Sequence, residues 1–103
     1  MKMMTKAIER RIPKLYEQDG KGKDAVVHVK FFCPWNQWTW YATEYDPEER
    51  IFFGLVCGHE KEMGYFSLDE LAAVRGPVGL KIERDRHFGP CSMGEVRTLE
   101  KID

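Results

Sequence analysis

Phe31-Phe32-Cys33-Pro34-Trp35-Asn36-Gln37-Trp38-Thr39-Trp40-Tyr41, followed by Ile51-Phe52-Phe53-Gly54-Leu55-Val56 and then Gly64-Tyr65-Phe66, decides the fold. Residues 31–66 hold all three tryptophans, five of the six phenylalanines and three of the four tyrosines. That much ring area in one stretch either fills a core or forms a contact surface. Residues 51–57 are apolar on both alternating faces, as in a strand covered on both sides. Residues 37–45 alternate, with Trp38, Trp40 and Ala42 on one face and Thr39, Tyr41, Thr43 and Tyr45 on the other. Cys33-Pro34-Trp35-Asn36 and Asp46-Pro47-Glu48-Glu49 read as turns. Residues 51–57 are therefore predicted as an interior strand flanked by those carrying Trp40 and Tyr65, with Phe53 enclosed in the core.

Outward from this block, residues 25–32 read as a further strand, with Val27, Val29 and Phe31 facing one way. Residues 61–66 read as a fourth strand, and 80–84 as a weakly alternating segment at an edge. Thr5 is a suitable N-cap for a helix over 6–17 carrying Ile8, Ile12 and Leu15, which Pro13 breaks. Ser67-Leu68-Asp69-Glu70 and Ser92-Met93-Gly94-Glu95 both carry the capping-box spacing. The first opens a helix with Leu68, Leu71 and Val74 on one face, stopped by Gly76-Pro77. The second opens a helix carrying Met93, Val96 and Leu99. The predicted class is α+β: one domain with a four-stranded antiparallel meander and N-terminal, middle and C-terminal short helices packed on it.

The 103 residues allow one core. The opening Met1-Lys2-Met3-Met4-Thr5-Lys6 leads into a charged segment without an apolar signal-peptide core. Cys33, Cys57 and Cys91 are odd in number and widely spaced, which points to free thiols in a reducing compartment. Together these features predict a cytoplasmic protein with no membrane attachment. The net charge of −1 is unevenly spread: residues 1–30 balance at +4, residues 31–72 at −6 and residues 73–103 at +1. An acidic, aromatic block repels phosphate backbones and suits a basic protein partner.

The succession of motifs resembles one family. Leu15-Tyr16, His28-Val29-Lys30-Phe31-Phe32, Trp38-Thr39-Trp40-Tyr41-Ala42-Thr43-Glu44 and Phe53-Gly54-Leu55-Val56 come in its order. Gly64-Tyr65-Phe66-Ser67-Leu68-Asp69-Glu70-Leu71 and Arg75-Gly76-Pro77-Val78-Gly79-Leu80-Lys81-Ile82-Glu83-Arg84-Asp85 continue it. The resemblance is to the small bacterial family known as domain of unknown function 2958, and it runs from about Thr5 to Leu99. It implies a short protein carried by plasmids or other mobile elements, near conjugation and anti-restriction genes. It brings no catalytic residues. The three cysteines and His59 lie outside the family pattern.

Chemistry-bearing residues are sparse. Cys57-Gly58-His59 is a lone C-x-H, whereas a structural zinc site draws on a tight two-ligand turn; no metal or cofactor is expected. No nucleophile elbow, zincin helix or phosphate loop is present, so no catalytic residue is assigned and the chain is not expected to be an enzyme. Trp38 and Trp40 are expected in the core, while Trp35, in a turn, is an interface anchor. Tyr41, Glu44 and Tyr45 of the acidic, aromatic stretch join it as interaction residues. So do Arg84 and Arg86, two apart and on one side of an extended segment. The resulting expectation is a protein-binding, inhibitor-type accessory protein. The alternative is a nucleic-acid-associated module using Lys2, Lys6, Arg10, Arg11 and Lys14 of the basic first helix.

Overall fold

The computed structural model describes residues 2–102. Thr5 caps α1 (Lys6–Arg11) by accepting the Ile8 amide at 3.1 Å, and the helix stops at Arg11, with the extended C-cap Ile12 between it and Pro13. After a 3-10 turn at Gly22–Asp24 come β1 (Val26–Val27), β2 (Val29–Phe32), β3 (Thr39–Asp46), β4 (Ile51–Cys57) and β5 (Lys61–Ser67). Then follow α2 (Leu68–Ala73), a second 3-10 turn at Pro77–Gly79, β6 (Glu83–Arg84), β7 (Cys91–Ser92) and α3 (Met93–Leu99). The Ser67 hydroxyl caps α2 and Ser92 with Glu95 forms a full capping box on α3.

The main sheet is antiparallel and has five strands, not four, in the order β5-β4-β3-β2-β6. The predicted meander is β2–β5. The extra strand, β6, pairs Arg84 with Phe31 and Glu83 with Phe32, too short a ladder to leave a clear alternation. As predicted, β4 is interior, with β3 and β5 as neighbours.

Residues 25–32 do not form one strand. The chain breaks at His28, and β1 leaves the sheet to pair with β7 in a two-stranded ribbon. The break reverses the facing: Val27 packs on one side of the sheet, Val29 and Phe31 on the other.

A second irregularity lies in β3. Its register against β4 shifts between Ala42 and Glu44, making Thr43 the extra residue of a β-bulge. Strict alternation would have put Tyr45 on the side of Tyr41. The bulge turns it to the side of Trp40 and Ala42, where its ring lies 4.6 Å from that of Phe52.

Two apolar clusters follow. On the first face, Phe52 is the hub, its ring 5.3 Å from Phe31 and 5.2 Å from Phe66 as well. Ile8 and Ile12 from the α1 end, Leu68 and Leu71 from α2, and Ile82 close over it. On the second face, Val27, Tyr41, Leu55 and Cys57 lie beneath Met93 and Val96 of α3. Leu99, predicted on that same helix face, is exposed and takes no part in this cluster. The helix covers part of the second face only. Phe53, expected to be enclosed, is half-buried against Tyr65, with ring centres 5.0 Å apart.

Full enclosure and half enclosure should separate energetically. Phe52→Ala should cost roughly 3–5 kcal/mol and Phe53→Ala about half of that. Urea melts of the two variants would check this; equal losses would mean that the second face is better covered than the structure has it.

Candidate functional site

Two recesses, on opposite faces of the sheet, both reach the β5 edge. The first, about 380 Å³, opens between the β2–β3 turn and α2. Trp35, Trp38, Trp40, Leu71, Val74 and Ile82 give it an apolar lining, and Glu70 stands at its rim. Two glycines let the indoles approach the backbone. A Cβ on Gly76 would lie 2.5 Å from the Trp35 ring, and one on Gly58 would lie 2.3 Å from that of Trp38. Trp35 is thereby fixed against the loop after α2.

That loop is a narrow hairpin. Arg75 bridges to Lys81, and the Gly76 amide donates to the Leu80 carbonyl at 2.7 Å. Its tip is apolar and uncovered: Val78 is 98% exposed and sits at φ +48°, and Val74 and Leu80 are exposed beside it. Acidic groups lie along the same side of the sheet. Register places Trp40, Val56 and Glu62 in one cross-strand row. A hydrogen bond to Glu60, and then its charge, hold the Glu62 carboxyl above the usual range.

The second recess, about 330 Å³, lies on the opposite face between β4, β5 and the segment 16–22. Phe53, Met63, Tyr65 and Tyr16 wall it, and the hydroxyls of Tyr65 and Tyr16 lie 3.5 Å apart. Glu44, 4% exposed, lines its base. One carboxylate oxygen accepts the Tyr16 amide and the other the Gln18 amide, both at 2.8 Å. The Gln18 side chain is buried as well, donating to the carbonyls of Val26 and Thr43 and accepting the Val26 amide.

The residues predicted as contacts do not form one surface. Trp35 is half-buried at the first recess, and Glu44 lies under the second. Tyr45 is inside the first cluster because of the bulge. Tyr41 is inside the second, its hydroxyl donating to Glu100 at 2.5 Å. Both tyrosines are 1% exposed and offer no surface to a partner. Arg84 donates to the Lys2 carbonyl at 3.1 Å, whereas Arg86 is exposed beyond the end of β6. Lys6, Arg10 and Arg11 are exposed on α1, where Arg11 donates to the His28 carbonyl and Glu9 interrupts the basic run.

Tyr16, Gln18 and Met63 escaped sequence reasoning. A polar, glycine-bearing loop conceals a buried glutamine, and the aromatic count alone does not say which rings a half-covered face leaves open.

Cys57 and His59 diverge. The thiol lies in the second cluster, pushed up to about 12 by burial, with the charge of Glu100 adding to it. The imidazole is exposed and meets Trp38 edge-on at 5.4 Å, toward the first cluster. Among the described residues, no group of three or more His, Cys, Asp or Glu is placed to hold a metal ion. No helix among them is long and apolar enough to cross a membrane.

The architecture is thus that of a small α+β protein built on a five-stranded sheet with a recessed aromatic surface on each face. Residues 3–94 match the family described as protein of unknown function DUF2958, and the chain belongs to it. None of the curated proteins and none of the solved structures matches.

The buried thiol and phenol give the stability an alkaline limit. Unfolded, a cysteine ionises near pH 9 and a tyrosine near pH 10. Folded, Cys57 holds its proton to about 12, and burial with the Glu100 hydrogen bond keeps Tyr41 protonated well beyond its usual range. The unfolded state therefore loses protons first, and stability falls as pH rises above 9. Urea midpoints measured from about pH 8 to about pH 11 should decline, and Cys57→Val should flatten the first part of that decline.

Proposed function

We propose that the protein is a non-enzymatic, cytoplasmic accessory protein that acts by gripping another protein through the tryptophan recess and the apolar hairpin beside it. The single observation that carries this reading is Val78. A β-branched residue in the left-handed region costs about 1–3 kcal/mol. Here the strained side chain is also 98% exposed, so its own fold recovers none of that cost by burial. Val74 and Leu80 extend the exposed apolar surface, and Trp35 anchors the loop from beneath. Tryptophan is a residue type enriched at the core of protein interfaces, and Trp35 lines the recess beside this surface.

The partner's chemistry follows from the rim. Glu70 at the rim and Glu62 in the cross-strand row of Trp40 favour an apolar anchor flanked by basic residues, consistent with the −6 balance of residues 31–72. The mobile-element setting that the resemblance implies leads us to propose a host-defence or DNA-processing component as that partner, with the protein acting as an inhibitor or adaptor. Three free thiols support a reducing compartment.

Val78→Asn tests the proposal. Asparagine tolerates the left-handed backbone and removes the apolar tip. The variant should melt no lower than the parent, yet lose a partner that the parent captures from host lysate. Equal capture by both proteins would remove this hairpin from the interface and with it the proposal.

A further inference from the structure

We propose that the recess between Tyr16, Phe53, Met63 and Tyr65 binds an organic ammonium group, its charge facing Glu44. This site lies on the opposite face of the sheet from the tryptophan recess and stands independently of the reading above.

The charge balance of the recess is one-sided. Glu44 and Asp19 line it, and no lysine or arginine does. Glu44 has two amide donors but no ion-pair partner among the described residues. An ionised carboxylate offers about four acceptor positions, so both oxygens retain capacity. The other polar side chains at the base are already engaged. Gln18 donates to two carbonyls, and the Thr43 hydroxyl donates to the Phe53 carbonyl at 3.1 Å. The recess therefore has little to offer an anion.

The walls narrow the choice among cations. Phe53 and Tyr65 stand 5.0 Å apart at 58°, and the Tyr16 hydroxyl meets that of Tyr65 across the opening. Ring faces are negative and apolar, a surrounding that attracts a carbon-substituted ammonium. A hard metal ion instead demands a cluster of oxygen ligands, and among the described residues no group of three or more His, Cys, Asp or Glu is placed to hold one. A space of about 330 Å³ takes an ammonium head with its first methylenes.

Tyr16 supplies a separate observation. It sits at φ +72°, an uncommon conformation for a bulky residue, and its ring remains 67% exposed. Glu44 holds that backbone in place by accepting the Tyr16 amide. Tyr65 and Met63 are likewise large and exposed. The chain thus maintains a strained, largely exposed residue that lines the recess, as preorganised ligand walls do.

The ammonium could belong to a methylated lysine of a protein or to a free quaternary amine. The full chain would be titrated with tetramethylammonium chloride, with neopentyl alcohol as its uncharged isostere, and with a trimethyllysine peptide. Ring-proton shifts of Tyr16 and Tyr65 report occupancy. Tetramethylammonium should bind saturably and neopentyl alcohol should not. Tyr65→Leu, a change at an exposed position, should weaken binding roughly tenfold. A peptide that binds more tightly than tetramethylammonium assigns the group to a protein, and one that binds no more tightly assigns it to a free amine. Absence of saturable binding by both cations, equal binding of the neutral isostere, or indifference to Tyr65→Leu would each overturn the proposal.

Discussion

The bulge at Thr43 is the constraint on which the rest of the structure depends. One extra residue in β3 sends Tyr45 into the first core and keeps Glu44 on the second face, where alternation would have exchanged them. The same few residues then collect the N-terminal segment. The Tyr45 amide donates to the Pro13 carbonyl at 2.9 Å, Glu44 accepts the amides of Tyr16 and Gln18, and the Thr43 carbonyl accepts the Gln18 side chain. Hydrogen bonds to a buried charge contribute about 1.5–3 kcal/mol each, because the alternative is a desolvated carboxylate without partners. The break of α1 before Pro13 makes this docking possible: the freed chain turns across the end of β3 instead of continuing as helix.

The two faces of the sheet are covered unequally. Two helices, α1 and α2, and the loop bearing Ile82 close the first face around Phe52, which is fully enclosed. The second face has α3 and the β1–β7 ribbon, enough for Val27, Tyr41, Leu55 and Cys57 but not for the Phe53 end of β4. Small domains bury a modest fraction of their surface, and the shortfall here is concentrated at one edge. Both recesses meet that edge through Tyr65. Glu100 secures the covered part, accepting from the Tyr41 hydroxyl and pairing with Lys61 at 3.4 Å, so the end of α3 is tied to β3 and β5 together.

What the sequence revealed and what it concealed have the same origin. The double-faced apolar run of β4, the short connections that make its neighbours antiparallel, and the serine caps are local signals, and each appears where it was read. Parity is not a local signal. An ordinary Ala-Thr-Glu stretch gives no sign of a bulge, and without it Tyr45 is assigned to the wrong face. The break at His28 is similarly silent, since Val-Val-His-Val-Lys-Phe reads as unbroken alternation. The acidic, aromatic composition suggested a contact surface, but Tyr41 and Tyr45 are the rings that the core consumes. Those left outside, Tyr16 and Tyr65, are fixed by which parts of the sheet the helices fail to reach.

The distribution of backbone strain separates structure from recognition more sharply than burial does. Among the described residues, four other than glycine have positive φ: Tyr16, Arg50, Val78 and Lys101. Arg50 closes the β3–β4 turn, where a left-handed residue before the returning strand matches the twist of the hairpin, and its side chain pairs with Asp69 at 2.7 Å. Lys101 follows the C-cap of α3 in a Schellman ending: the Ile102 amide donates to Arg97 and the Lys101 amide to Thr98. Those two conformations are explained by the elements they finish, and both residues are long and charged. Tyr16 and Val78 belong to neither type. Each is bulky and mostly exposed; Tyr16 lines the second recess, and Val78 tips the hairpin beside the first. Folding alone would favour glycine or asparagine at either position. The valine and the tyrosine that occupy them are the side chains on which the two proposed contacts rest, one beside each recess.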